Sequence, residues 1–223
     1  MVQIRIKEMR IILLCVGRSG SHSLFKFISE HLKDYVYLHE PFNDDPKLME
    51  VQELINDISH IKSEKNIVIK TLLNHYPRNS FKDWYEFENW LFESFDKVIL
   101  LDRIDKRKQS ESSYYHIKIK DKISKDYTWH TPKIYSFTEE DEDKIVQVID
   151  SMENDTSILN NYNEKYGYPI FYYEDIFLKK DMSKIREIFD YLDIKDIDPK
   201  IYKEWIDNPR RIVKLNGPSV KLI

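Results

Sequence analysis

The chain has 223 residues, 41% hydrophobic and 33% charged, with 35 Lys and Arg against 39 Asp and Glu for a net charge of −4. That length suits one domain with its own core, and the slight acidity excludes a general nucleic-acid binder while leaving room for a local basic pocket that holds one small anion. No run of about 18 apolar residues predicts a membrane span, the apolar stretch at 11–16 is too short for a signal-peptide core, and the single Cys15 forms no internal disulfide, so the expectation is a soluble, cytoplasmic, single-domain protein over residues 1–223.

Residues 11–16 are a continuous apolar run, as expected of a parallel strand buried on both faces. The run stops at Gly17-Arg18-Ser19-Gly20, and residues 21–32 follow with Leu24, Phe25, Ile28 and Leu32 on one helical face. Residues 35–38 read as a second strand, 46–61 as a helix, 66–70 as a third strand, 81–95 as a helix, 97–101 as a fourth strand and 105–119 as a helix. Residues 139–165 predict a long helix that opens among acidic residues, which suit the positive end of the helix dipole. A fifth strand is expected at 169–172 and a helix at 183–192, with Ile185, Ile188, Phe189 and Leu192 apolar. This alternation predicts an α/β fold, a parallel β-sheet flanked by helices on both faces. Ligands of such sheets bind at the carboxyl ends of the strands. The Gly17 loop and the segments after Leu38, Lys70 and Leu101 therefore surround one expected pocket.

Gly17-Arg18-Ser19-Gly20-Ser21-His22-Ser23 lies between a buried strand and a helix. Glycines let the backbone turn tightly with its N–H groups inward, the helix start adds partial positive charge, and the hydroxyls and Arg18 add donors, which together make an anion site. The loop lacks the Lys-Ser/Thr pair of nucleotide triphosphatases, and with it the usual Mg²⁺ hydroxyl. A plain tight turn is the competing reading. Further on, the fourth strand ends in Arg103, and Asp105, Gln109 and Ser112 lie along the next helix. An Arg at a strand end and a Ser two to three turns into the next helix can converge on one phosphate.

Arg18-Ser19-Gly20-Ser21 after an apolar strand resembles the 5′-phosphosulfate loop of sulfotransferases that use 3′-phosphoadenosine-5′-phosphosulfate (PAPS), in the Arg form found in carbohydrate and protein-tyrosine sulfotransferases. Arg103, Asp105, Gln109 and Ser112 resemble the Arg-x-Asp-x-x-x-Gln-x-x-Ser pattern of the bacterial, sugar-directed branch, in which the Arg and Ser grip the 3′-phosphate. Tyr172-Tyr173-Glu174-Asp175-Ile176 is similar to the closing Tyr-Glu-Asp turn of the family, and Trp129-His130 to a pair near the acceptor. The loop departs from the family pattern at His22, where a second hydroxyl residue is usual; Ser23 stands one residue on. The resemblance implies a P-loop-like sulfotransferase fold and PAPS as sulfuryl donor. Its binding residues are then Gly17, Arg18, Ser19, Gly20, Ser21, His22, Ser23, Arg103 and Ser112. The acceptor is expected to be a hydroxyl of a carbohydrate or small metabolite, lined by residues 40–50, 72–80 and 120–138.

Sulfuryl transfer needs a base beside the attacking oxygen and cations beside the charge that develops in the transition state. Glu40, in Leu38-His39-Glu40-Pro41 after the second strand, is the first candidate base, since related sulfotransferases carry a Glu, often as Glu-Pro, shortly after the loop helix. His75 is the rival: cytosolic relatives show Lys-Thr-His after the third strand, and here Lys70-Thr71 is followed by Leu72. His39 is a third candidate. Lys70 either helps place the sulfuryl group or is a snorkelling strand-end lysine. Arg210, Arg211 and Lys214 form a late basic cluster that is either a solvated face or a reach toward the nucleotide. The seven His and the Cys show no metal-ligand spacing, so no metal is expected. The competing functions are a phosphotransferase or kinase on a related loop, and a nucleotide-binding protein without turnover.

Overall fold

Strands β1 (Arg10–Cys15), β2 (Val36–His39), β3 (Ile67–Leu72), β4 (Lys97–Asp102) and β5 (Ile170–Tyr172) pair in parallel into one sheet of order β2-β3-β1-β4-β5. This computed structural model describes residues 8–42, 58–73, 75, 80–120 and 137–207. Between and after the strands run α1 (Ser21–His31), α2 (Ile58–Ser63), α3 (Trp84–Ser94), α4 (Lys106–Lys120), α5 (Glu139–Tyr166), a single π-helical turn (Glu174–Leu178), α6 (Met182–Tyr191) and α7 (Pro199–Asp207).

The sheet is apolar on both faces because both are covered. Ile11, Leu13, Cys15, Val68, Ile99 and Leu101 pack with Leu24, Phe27 and Ile28 of α1, Ile185, Ile188 and Phe189 of α6, and Trp205 of α7. Ile12, Leu14, Ile67, Ile69, Val98 and Leu100 point the other way, onto Phe87 and Leu91 of α3 and Met152, Leu159 and Tyr162 of α5. Successive residues of one strand thus enter opposite cores, which is why β1, β3 and β4 read as unbroken apolar runs. Cys15 belongs to this core, and burial pushes its thiol up to about 12.

Local signals set the element ends. Asp83 accepts the Glu86 N–H at 2.9 Å and starts α3 at Trp84, three residues later than its apolar pattern suggests. Thr138 and Asp141 form a capping box at the start of α5, and Gly167, at φ 71, closes it with an N–H to the Asn163 carbonyl at 2.8 Å.

Further features differ from the sequence expectation. β3 runs to Leu72, because Thr71 and Leu72 pair with Leu14 and Cys15, so Lys70 lies inside a strand. β2 ends at His39 rather than Leu38, since His39 pairs with Lys70. The π-helical turn and α7 form in segments for which the sequence predicts no helix. Of the helix expected at 46–61, residues 46–57 lie outside the described residues, as do Trp129, His130, Arg210, Arg211, Lys214 and most of the expected acceptor lining.

Candidate anion site at the sheet's carboxyl edge

The connection leaving β1 runs to β2 on one side of the sheet, and that leaving β4 runs to β5 on the other. The crevice between the carboxyl ends of β1 and β4 is therefore the topological switch point, where sheets of this kind take their ligands. The Gly17–Ser23 segment leaves β1 at this crevice, and Arg103 leaves β4 beside it. Gly20 is the N-cap of α1 in the left-handed conformation, φ 79, with no side-chain cap on the helix start. A Cβ on Gly20 would lie 2.5 Å from Phe177 and 2.9 Å from Tyr173, so packing demands glycine there. Among the described residues, a Cβ on Gly17 would meet only Leu72, at 4.0 Å. No described side chain thus crowds the Gly17 backbone. Ser19 is fully buried, and its hydroxyl has no hydrogen-bond partner among the described residues.

Arg18 adopts the left-handed backbone region, φ 64, and its Nε and Nη2 donate to Ser112 Oγ at 3.1 and 3.0 Å. Gln109, one turn earlier on α4, donates from Nε2 to the Gly17 carbonyl at 2.6 Å. Across the crevice, the Arg103 guanidinium lies 3.6 Å from Glu174 Oε1 and over the Tyr173 ring at 4.6 Å. The Glu174 carboxylate also accepts the N–H groups of Ile104 at 2.9 Å and Asp105 at 3.1 Å, which ties the π-helical turn to the start of α4. Ser23 accepts the Trp205 indole N–H at 2.9 Å, which anchors α7 on the first turn of α1.

A second cluster sits past the ends of β2 and β3. Lys70 is only 3% exposed and donates to Glu40, whose own N–H donates to the Lys70 carbonyl at 2.7 Å. Burial raises the Glu40 carboxyl, but the Lys70 ammonium, through charge and hydrogen bond, with help from His39 and His75, holds it below the ordinary carboxylate value. Glu40 also sits at φ 51, in the left-handed region rather than the extended one usual before proline. His39 Nε2 lies 2.8 Å from His22 Nδ1 and 4.0 Å from Glu40 Oε1. Partial desolvation of the two rings, which remain partly exposed, and then the Lys26 and Lys70 ammonium groups lower His22 and His39 to about 4, so both imidazoles are neutral at pH 7.

No family model and no curated protein match this chain.

The structure brings most of the sequence-derived residues into two neighbouring groups. Gly17 to Ser23 and Ser112 form one, and Glu40, Lys70, His39 and His22 the other; His75, with its N–H on the Leu72 carbonyl at 3.0 Å, acts on Glu40 through its field. Arg103 and Ser112 have different partners: Ser112 serves Arg18, while Arg103 is held by Glu174 and Tyr173. His22, where the loop departs from the family pattern, bridges the two groups through His39. Sequence reasoning assigned no role to Glu174 as the partner of Arg103 or to Trp205 as the partner of Ser23. The Tyr-Glu-Asp turn was the available signal for the first; nothing in sequence order joins residues 23 and 205.

These features fit an anion. Among the described residues, the orphaned Ser19 hydroxyl, the Gly17 backbone and the start of α1 supply donors, and Arg18 adds a positive charge beside them. Among the described residues no group of three or more His, Cys, Asp or Glu is placed to hold a metal ion, and no helix is long and apolar enough to cross a membrane.

Proposed function

We propose that this protein transfers a sulfuryl group from PAPS to a hydroxyl acceptor. The observation that carries the reading is the juxtaposition of an Arg-bearing anion loop with the pair of buried Lys70 and half-buried Glu40 at one edge of a parallel sheet. Residues 17–23 and Ser112 take the phosphosulfate, and Arg103, already held beside the crevice, takes the 3′-phosphate. The acceptor oxygen forms a bond to sulfur as the bond from sulfur to the nucleotide's 5′-phosphate oxygen breaks. The leaving group is 3′-phosphoadenosine 5′-phosphate. The acceptor proton passes to Glu40. Because Lys70 depresses the basicity of Glu40, the two act in concert: negative charge growing on the sulfuryl group and the bridging oxygen draws the ammonium, and Glu40 becomes a stronger base as that contact loosens.

Two experiments test this. 3′-Phosphoadenosine 5′-phosphate at about a hundred times its Kd stabilises the fold by about 2.7 kcal/mol, whereas adenosine 5′-phosphate does so far less; equal melting shifts would remove the 3′-phosphate site. With labelled PAPS and a working acceptor, Glu40→Gln lowers single-turnover rate about a hundredfold to ten-thousandfold and His75→Ala much less. The reverse order makes His75 the base.

A further inference from the structure

Gln109 is fully buried on α4 and carries a polar amide into the core. Its two ends have different partners. Nε2 donates to the Gly17 carbonyl at 2.6 Å, and Oε1 accepts from Lys106 Nζ at 3.2 Å. A carbonyl only accepts and an ammonium only donates, so this amide has one allowed orientation. Lys106 is fixed in turn. Its other donors go to Asp102 Oδ1 and the Arg103 carbonyl, both at 2.6 Å, which saturates its three N–H bonds. Asp102 is 1% exposed, and its second oxygen accepts from Thr156 Oγ1 of α5 at 2.7 Å. A continuous polar chain thus runs from α5 through β4 and α4 to the carbonyl at the head of the anion loop.

We infer that Gln109 is the positioning residue of that loop. The peptide is planar, so holding the Gly17 carbonyl also sets the direction of the Arg18 N–H. Arg18 follows in a left-handed conformation that costs about 1–2 kcal/mol for a residue with a side chain, so its neighbours must hold it there. Gln109 and Ser112 lie three residues apart on one face of α4 and clamp residue 18 from both sides, Gln109 through the preceding carbonyl and Ser112 through the guanidinium. The inference rests on the proposed anion-binding role of the loop, but its structural half stands without a nucleotide.

The test uses Gln109→Met, which keeps length and removes the polar end, Gln109→Glu, which sets an acceptor against the Gly17 carbonyl, and Thr156→Val at the far end of the chain. Amide hydrogen exchange is read residue by residue without ligand, together with calorimetric affinity for 3′-phosphoadenosine 5′-phosphate. Both Gln109 variants should speed exchange at residues 17–21 about tenfold, as loss of one hydrogen bond implies. β1, β3 and β4 should keep their protection. Affinity should fall about tenfold, with Thr156→Val shifting both readings in the same direction by less. Unchanged loop exchange in both Gln109 variants, or a rise spread evenly over the strands, overturns the inference. If the unaltered protein fails to bind the nucleotide while the variants still loosen the loop selectively, the sulfotransferase reading falls and the positioning role stands. Should Gln109→Glu not fold, Gln109→Met decides.

Discussion

Four residues other than glycine adopt positive φ among the described residues: Arg18, Glu40, Lys180 and Asp193. Asp193 follows the end of α6, where the Ile194 N–H reaches back to the Phe189 carbonyl at 2.8 Å, and Lys180 follows the end of the π-helical turn. Left-handed residues at helix ends are ordinary stop signals. Arg18 and Glu40 end no helix. They lie at the carboxyl edge of the sheet, one in each half of the proposed site, and strain held at such positions points to function. Arg18→Gly and Arg18→Ala both remove the guanidinium and differ in the backbone penalty. Urea denaturation should therefore find the glycine variant more stable by about 1 kcal/mol, with nucleotide binding weakened in both; an alanine variant as stable as the glycine one would mean the backbone at 18 relaxes freely. Glu40→Gln leaves the Lys70 ammonium without its carboxylate. Loss of a partner from a fully buried pair costs about 3–5 kcal/mol; because the Glu40 side chain is 20% exposed, a smaller loss of about 2 kcal/mol is expected in the same measurement.

At the scale of elements, the strand–helix alternation is legible because β1, β3 and β4 are buried on both faces and so carry no polar residue until their ends. Lys70 breaks that rule, and the apolar run therefore predicts a strand end two residues early; only the pairing of Thr71 and Leu72 with β1 shows that the lysine is inside. The loop at 17–23 is legible from its glycines and position. Its partners are not, because contacts from α4 and α7 join residues about a hundred or more apart in sequence. α7 itself has a readable start, Asp198 with its carboxylate on the Lys200 N–H at 2.8 Å and proline at the first helical position. Its apolar stripe is only nine residues long and follows what reads as the last helix. That helix is nonetheless the strap over α1. Trp205 stacks on Phe27 with centroids 4.1 Å apart and donates to the Ser23 carbonyl and hydroxyl. Trp205→Phe retains an aromatic face and loses the indole donor, for about 1–2 kcal/mol; Trp205→Ala also opens a cavity, for about 3–5 kcal/mol. Equal losses from the two in chemical denaturation would show that the stacking contributes little.

For the molecule as a whole, the groups at the sheet's carboxyl edge tie stability to pH. His22 and His39 hold each other at 2.8 Å, and Lys26, Lys70 and Glu40 face them. Each imidazole stays neutral in the folded protein down to about 4, against an ordinary value of 6.5. Between those values the unfolded chain binds more protons than the folded one, so stability is present above 6.5 and declines as pH falls through the interval. Glu40 adds a second loss at lower pH: its folded carboxyl lies below the ordinary value, so its contribution is present above the carboxylate range and disappears as pH falls through it. The two effects occupy different windows. From about pH 6.5 to 5 carboxylates of ordinary value stay mostly ionised and the histidines dominate. The double variant His22→Asn, His39→Asn removes the titrating rings while keeping polar side chains at both positions. Its denaturation midpoint should change less across that window than the midpoint of the unaltered protein, and the two profiles should become parallel only below about 4, where the folded imidazoles have themselves taken up protons. Parallel profiles from pH 6.5 downward would show that the imidazole pair is not what links folding to the proton.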